Sequence, residues 1–123
     1  MQTEIAIVDD DATLRASLAR LLTACSYSVR SYGSAREFLD SGIQIPDCLI
    51  LDHHMEEMTG VELLYHLALS GIRIPTVVLT GHDSPESRES FQHAGAVNFL
   101  VKPVTPDQLL RAIETALSNT LLH

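Results

Sequence analysis

Short apolar runs alternate with amphipathic stretches along the whole 123-residue chain, and this alternation constrains its fold more than any other feature. Short runs rich in Val, Ile and Leu are typical of buried parallel strands, and the stretches between them have the spacing of crossover helices. We therefore predict an α/β fold of the (βα)5 type, a doubly wound sandwich with helices on both faces of a five-stranded parallel sheet. The predicted strands are residues 4–8, 27–31, 47–51, 76–80 and 97–101.

Helix-start signals lie between the predicted strands. Three are capping boxes, in which side chains and backbone amides at a helix start satisfy each other: Ser34 with Glu37, Thr59 with Glu62, and Thr105 with Gln108. These pairs begin helices two, three and five, and helix one follows the acidic residues Asp10 and Asp11. Helix four has only Phe91 and Ala94 as clearly apolar residues, so we expect it to be the most easily displaced element.

The polar residues that follow the strands collect at one rim of the predicted sheet. The second strand alternates polar and apolar residues, which is typical of an edge, so we predict the strand order 2-1-3-4-5. In open sheets of this kind, ligands bind beyond the carboxyl ends of the strands, where the strand order reverses. Strands one and three flank that crevice. The residues delivered to the rim are Asp9, Asp10, Asp52, Thr80 and Lys102.

Three carboxylates in one crevice repel each other unless a cation lies among them. Oxygen ligands select a hard divalent ion, Mg²⁺ or Mn²⁺, whose coordination is often completed by phosphate oxygens. Lys102 supplies a positive charge and Thr80 a hydroxyl for the oxygens of a phosphoryl group, and Gly81 leaves space for the group to approach. The pattern therefore predicts that a carboxylate attacks a phosphodonor and forms an aspartyl phosphate.

Composition limits the partners of the chain. Its formal charge of −8 opposes direct binding to the backbone of DNA or RNA. The two cysteines, Cys25 and Cys48, have no C-x-x-C spacing, so neither a metal knuckle nor a disulfide framework is indicated. No apolar run approaches the roughly 18 residues that a membrane span requires. We expect a soluble, cytoplasmic domain that binds no membrane and spans residues 1–123, with a linker beginning at about 119–123.

The polar motifs also carry a family resemblance. They look like the ordered motif set of response-regulator receiver domains, which implies a flavodoxin-like (CheY-like) fold. The segment from Thr80 to His82, with that from Ala94 to Leu100, is most similar to the FixJ-like group, whose receivers usually precede a LuxR-type DNA-binding domain. The motifs are Ile7-Val8-Asp9-Asp10, Leu51-Asp52-x-x-Met55 with Gly60, Val78-Leu79-Thr80-Gly81, and Phe99-x-x-Lys102-Pro103.

The resemblance implies a role for each residue at the rim. Asp52 would be the phosphoacceptor and a metal ligand, Asp10 a direct Mg²⁺ ligand, and Asp9 a ligand through water. The main-chain carbonyl of His54 would be a further ligand. The resemblance also makes Thr80 and Phe99 the switch pair, Lys102 the phosphate contact, and Lys102-Pro103 a cis peptide.

The implied function is a phosphorylation-dependent switch of a two-component system, not a turnover enzyme. A sensor histidine kinase would supply the phosphoryl group. After modification, Thr80 would move toward the phosphoryl group and Phe99 would fill the vacated space. Helix four, strand five and helix five would then form the face of a homodimer. Binding to DNA would belong to a C-terminal output domain and would control transcription.

Some residues near the acceptor depart from the family pattern. Glu56 replaces the proline that commonly follows Met55, so the loop loses a fixed φ and gains an acid. His53 and His54 follow the acceptor, and in such domains these neighbours tune how fast water removes the phosphoryl group. We expect four residues to modulate the site: His53, Glu56, Gly81 and His82.

Two other functions match parts of the sequence. The segment from Asp9 to Thr13 resembles the D-x-D-x-T opening of haloacid-dehalogenase-like phosphatases, with Asp9 as nucleophile and Asp11 as general acid. Against this alternative, no acidic pair follows Lys102, and Asp52 has no role. A flavodoxin-like carrier of FMN needs a Ser/Thr/Gly phosphate loop after strand one, where acidic residues stand instead.

The histidines suggest a zinc or copper site only weakly. Imidazole is a common ligand of both metals. No H-x-x-x-H or H-x-x-E-H spacing occurs, so a soft-metal site is not favoured. The residues concerned are His53, His54, His66, His82, His93 and His123.

Overall fold

Five strands alternate with five helices, as predicted. The computed structural model describes residues 2–42 and 44–121, the last three through their main chain only. Of the expected linker at about 119–123, residues 119–121 belong to the last helix and residues 122–123 lie outside the described residues. The elements are β1 (Glu4–Val8), α1 (Ala12–Ala24), β2 (Ser28–Tyr32), α2 (Ala35–Asp40), β3 (Cys48–Asp52), α3 (Gly60–Leu69), β4 (Thr76–Thr80), α4 (Pro85–Ala94), β5 (Asn98–Val101) and α5 (Pro106–Leu121).

The strands form one parallel sheet in the order β2-β1-β3-β4-β5, which confirms the predicted fold and strand order. Strands β3 and β4 are buried along their whole length because helices cover both faces of the sheet. One core cluster lies beneath α2, α3 and α4, where Leu63 and Phe91 are fully buried. The other lies beneath α1 and α5, where Leu22 and Ile113 are fully buried.

The predicted bounds of three strands were wrong by one residue. Strand β2 begins at Ser28, because the Tyr27 amide donates to the Leu22 carbonyl at the end of α1 instead of to β1. Strand β5 begins one residue later than predicted. Strand β3 runs one residue further than predicted, since Asp52 is still paired with Leu79 of β4. The third-strand acid is therefore part of the sheet and not of the loop that follows.

Two of the three predicted capping boxes have both of their hydrogen bonds, and the third has only one of them. The Ser34 hydroxyl accepts the Glu37 amide, but the Glu37 carboxylate accepts the amide of Gly33 instead of that of Ser34. Helix α1 is capped by Asp11. The boxes with both hydrogen bonds are Thr59 with Glu62 and Thr105 with Gln108.

Helix α4 has one fully buried side chain. Phe91 is 1% exposed and is the buried residue of this ten-residue helix, all of which is described. Ala94 is partly buried, and Gly95 ends the helix in the left-handed conformation at a φ of 100°. Two apolar contacts give α4 less anchoring than α3, which buries four residues.

The two cysteines occupy different environments. Cys25 is exposed at the end of α1, whereas Cys48 is buried at the start of β3. Burial raises the pKa of the Cys48 thiol to about 12, so this side chain behaves as a small apolar residue. In the described part of the chain, no helix has the length and hydrophobicity to cross a membrane.

Candidate functional site

Three carboxylates meet at the carboxyl ends of β1 and β3. These strands are neighbours, with Val8 opposite Leu51, so the acids that follow them come together. One oxygen from each of Asp9, Asp10 and Asp52 lies within 4.8 Å of the other two. Asp9 and Asp52 are buried and Asp10 is exposed, which leaves the cluster open to solvent on one side.

A single lysine lies against the two buried acids. Lys102 is the only lysine of the chain, and its Nζ is 3.1 Å from Asp52 Oδ1 and 3.5 Å from Asp9 Oδ2. Burial by itself would lower the pKa of Lys102, but the hydrogen bond to Asp52 and the charges of both acids outweigh it and raise that pKa. The lysine therefore stays charged and neutralises part of the cluster.

The acids still outnumber the cation. Burial raises the pKa of Asp52, the charge of Asp9 raises it further, and Lys102 only partly offsets both effects. Three ionised carboxylates and one ammonium carry a net charge of −2. The atoms that they offer to a metal ion are hard carboxylate oxygens. This set matches what a divalent cation such as Mg²⁺ or Mn²⁺ requires, so the residues present fit such an ion.

Thr80 lies at the same rim, but its hydroxyl is hydrogen-bonded to the loop that follows β4. It is the last residue of β4 and is fully buried. Its hydroxyl donates to the His82 carbonyl at 3.0 Å and accepts the His82 amide at 3.1 Å. The hydroxyl that we expected to serve a phosphoryl group is therefore engaged by the loop before α4. Gly81 has open space on its side-chain side, with no atom within 4 Å of an added Cβ.

Phe99 is half-buried on β5 and faces α4. Its ring centroid is 5.7 Å from that of Phe91, and the Arg88 guanidinium carbon is 4.8 Å from the Phe99 ring centroid. The Lys102-Pro103 peptide that follows β5 is cis. Strand β5 thus joins the face that carries Phe99 to the lysine at the acid cluster.

Comparison with known proteins identifies the family. The model of the response regulator receiver domain matches residues 5–114. The chain belongs to the receiver-domain family. The predicted family is therefore confirmed, and receiver domains are the regulatory phosphoacceptors of two-component response regulators.

Among curated proteins, this receiver domain is similar to transcriptional regulators. It is 41% identical over 112 residues to the transcriptional regulatory protein FixJ of Rhizobium meliloti strain 1021, a match that covers 89% of this chain and 54% of FixJ. It is 34% identical over 113 residues to the transcriptional regulatory protein TdiR of Thauera aromatica, covering 91% of this chain and 50% of TdiR. The chain spans about half the length of these relatives.

Solved structures of receiver domains superimpose closely. The crystal structure of FixJ-N matches with a TM-score of 0.86 and 36% identity, and the match covers 96% of this chain and 95% of FixJ-N. The chemotaxis protein CheY4 of Vibrio cholerae matches with a TM-score of 0.87 and 27% identity, covering 94% and 99% of the two chains. The CheY-like fold is thereby shown.

Asp11, the general acid of the phosphatase alternative, is a helix cap in the structure. The Asp11 carboxylate is exposed and accepts the amides of Thr13 and Leu14, so it caps α1. Helix capping stabilises the fold and so explains the presence of Asp11 without a catalytic role. Membership of the receiver family, together with this cap, favours the phosphoacceptor over the phosphatase.

His53 packs as an aromatic ring in this receiver domain. Its ring centroid is 4.5 Å from that of His54 and 4.8 Å from that of Phe91. Its Nδ1 is buried without a hydrogen-bond partner, and burial lowers the pKa of this imidazole. A neutral ring in contact with α4 fits a packing role. His54 and His82 are both exposed, and the His82 side chain interacts electrostatically with the Asp83 carboxylate.

The histidines do not assemble into a metal site. Within the described residues, Asp9, Asp10 and Asp52 are the one group of three or more potential ligands brought together. His123 lies outside the described residues.

Glu56 lies in an acidic cleft beside the carboxylate cluster. The cleft has a volume of about 320 Å³, and both Glu56 and Glu57 are exposed at its edge. Glu57 adopts a left-handed conformation at a φ of 67° and lies 3.7 Å from the Arg36 guanidinium. The loop that lacks the usual proline is closed by main-chain hydrogen bonds from the Met58 amide to the Glu56 carbonyl and from the Gly60 amide to the His53 carbonyl. The cleft is lined by Asp10, Gly33, Ser34, Met55, Glu56 and Glu57.

Sequence reasoning missed two arginines at this end of the domain. Arg15 donates from Nη1 to the main-chain oxygen of Asp9 at 2.6 Å and so braces the loop that carries the acids. Arg88 forms two hydrogen bonds with Asp83, at 2.6 and 3.2 Å. Both lie on polar helix faces, where an arginine gives no signal beyond that of a solvated charge.

Gly60 is required where α3 begins beside the acceptor. A Cβ at this position would lie 2.9 Å from the main-chain oxygen of Asp52 and 3.3 Å from the Leu51 side chain. Alanine stabilises ordinary helix positions relative to glycine, but here it forces backbone to move. We expect Gly60→Ala to lower the free energy of unfolding by about 1–3 kcal/mol, measured by urea denaturation.

The matched control is Gly81→Ala, because an added Cβ there meets no atom within 4 Å. We expect this change to alter the free energy of unfolding by less than about 0.5 kcal/mol. Equal effects of the two substitutions would contradict the close approach of α3 to β3.

Proposed function

We propose that this receiver domain is a switch that accepts a phosphoryl group on Asp52 from a sensor histidine kinase, with Mg²⁺ as cofactor. The observation that supports it most is the environment of Asp52. This buried carboxylate ends a central strand, contacts Lys102 at 3.1 Å, and shares its pocket with Asp9 and Asp10. A buried acid in such surroundings is a functional-site candidate.

The proposed ligands of the ion are the three carboxylates and, following the family, the main-chain carbonyl of His54. When bound, Mg²⁺ neutralises the acids so that an anionic donor can approach. An Asp52 oxygen then forms a bond to phosphorus as the phosphorus–nitrogen bond to the histidine of the kinase breaks, and the imidazole leaves with the electron pair. Lys102 shifts its contact to an oxygen of the transferred group.

Modification of Asp52 adds negative charge beside Lys102, at the rim of the sheet where Thr80 ends β4. We propose that the Thr80 hydroxyl leaves His82 and donates to the phosphoryl group. Phe99 then turns into the space released, and α4, β5 and α5 rearrange into the face of a homodimer. Because Phe99 has no hydroxyl, this movement is driven by packing alone.

We propose transcription control as the output, through a C-terminal DNA-binding domain. The relatives named transcriptional regulatory proteins are about twice as long as this chain. The charge of −8 opposes contact between this domain and DNA itself, so residues 1–123 would act as the regulatory domain alone.

The test is labelling with acetyl phosphate or phosphoramidate in the presence and absence of Mg²⁺. We expect Mg²⁺-dependent incorporation of one phosphoryl group, and none in Asp52→Asn. Asp9→Asn removes one acid of the metal cluster and leaves the acceptor in place, so we expect slower labelling rather than none. Retained labelling of Asp52→Asn, together with multiple turnover of an aryl phosphate, would instead establish the phosphatase.

A further inference from the structure

Arg88 makes two contacts that join the loop before α4 to strand β5. Its Nε lies 2.6 Å from Asp83 Oδ1 and its Nη2 lies 3.2 Å from Asp83 Oδ2, which is a bidentate pair. The same guanidinium covers the Phe99 ring, with 4.8 Å from its carbon to the ring centroid. A planar guanidinium suits both tasks, because it binds a carboxylate along one edge and stacks on a ring with its face.

Phe99 is not enclosed on the side toward α4. A cavity of about 190 Å³ lies between α4 and β5, bounded among others by Arg88, Gln92 and Phe99. The ring contacts Phe91 at 5.7 Å but remains only half-buried. Arg88 therefore covers the part of the ring that the core leaves uncovered, and a phenylalanine has no hydroxyl that could hold it there by a hydrogen bond.

The two switch residues are held by one short segment. Thr80 is hydrogen-bonded to the main chain of His82, and the next residue, Asp83, supports Arg88 over Phe99. When Thr80 leaves His82, the backbone at Asp83 loses its anchor to β4. The support of Arg88 and the cover of Phe99 are then weakened together.

We propose that Arg88, supported by Asp83, is a positioning residue that retains Phe99 in the position described here, under its guanidinium, and so lowers the fraction of unphosphorylated domain in the active conformation. The inference rests on the proposed function, because it takes the ring position described here as the inactive state. Both side chains are about half exposed, which limits the bias to a small factor. A small bias suits a switch that one phosphoryl group must overcome.

The test is the affinity for beryllofluoride, a mimic of the phosphoryl group, with Mg²⁺ present. We call the Asp83–Arg88 pair over Phe99 the latch. Removing it raises the binding-competent fraction, so we expect Arg88→Gln and Asp83→Asn each to bind about two- to fivefold more tightly than the wild type. The double variant should bind no more tightly than the tighter single variant. The matched control, Arg20→Gln, removes an exposed arginine from α1 on the opposite face of the sheet and should bind like the wild type.

Wild-type or weaker affinity in both single variants would overturn the latch, and so would full additivity in the double variant. If Asp52→Asn abolishes binding in the same titration, the proposed function stands while the latch fails. If Asp52→Asn binds as the wild type does, the proposed function itself fails.

A second measurement needs no phosphate mimic. The ring current of Phe99 should shift the δ-proton resonances of Arg88 upfield of those of Arg20 in NMR spectra of the unmodified domain. Phe99→Leu should remove that shift. Equal δ-proton shifts for the two arginines in the wild type would overturn the stacked geometry on which the latch depends.

Discussion

Replacing Lys102 with methionine should slow the phosphorylation of Asp52 by a small-molecule donor by about a hundredfold. The lysine Nζ lies 3.1 Å from the acceptor oxygen, so it is the group best placed to meet an oxygen of the incoming phosphoryl group. Removing one such donor from a preorganised site typically costs a factor of about 10²–10³ in rate. The measurement is the initial rate of acetyl phosphate labelling at saturating Mg²⁺.

The control is Lys102→Arg, which retains the charge but changes its shape and reach. We expect an intermediate rate, because a guanidinium replaces the lysine as a charge without reproducing its position. A rate for Lys102→Met within twofold of the wild type would contradict the role of this lysine. Since the chain has no other lysine, protein labelled with ¹³C-lysine gives one side-chain signal that reports the pairing directly.

Replacing Phe91 with alanine should lower the free energy of unfolding by about 3–5 kcal/mol, as large-to-small changes of buried aromatic residues do. Phe91 is 1% exposed and is the residue by which α4 is anchored. Its loss also removes ring contacts to His53 and Phe99. Urea denaturation followed by circular dichroism measures the change, which is large against a total stability of about 5–15 kcal/mol.

Leu69→Ala is the matched control for this substitution. Leu69 belongs to α3 and is 90% exposed, so its side chain contributes little to the core. We expect a change of less than about 0.5 kcal/mol. If Phe91→Ala costs no more than Leu69→Ala, then α4 is anchored by something other than its single aromatic residue.

The acid cluster could be predicted from the sequence because its parts obey a simple rule. Asp9 and Asp52 each follow apolar residues of a strand, and parallel strands end at one rim. The lysine could be assigned to that rim, but its partners could not be read from spacing. Lys102 lies 50 positions from Asp52 and 93 from Asp9, so only the folded sheet joins them.

Other details depended on which of several neighbouring groups pair with each other in a hydrogen bond. Glu37 binds the amide of Gly33 instead of that of Ser34, a difference of one residue that a capping pattern does not resolve. The pairing of Asp83 with Arg88 spans five positions, outside the three- and four-residue spacings at which helix side chains are expected to meet. Contacts of this kind are chosen by loop geometry, which the sequence pattern does not encode.

Thr80 shows how far the sequence could predict the residues at this rim. Its place at the end of β4 was predicted, but its hydroxyl is bonded to His82 and not directed to the acids. A threonine hydroxyl can serve either partner, and in the proposed mechanism the choice depends on whether a phosphoryl group is present. The sequence therefore predicted where Thr80 lies and not which groups its hydroxyl binds.

The central claim is that Asp52 carries the phosphoryl group, and peptide mapping of the labelled domain by mass spectrometry tests it most directly. The domain is phosphorylated with acetyl phosphate and Mg²⁺, reduced with borohydride to trap the acyl phosphate, digested and sequenced. We predict that the modification lies on Asp52 alone. Modification of Asp9, with Asp52 unmodified, would contradict the account.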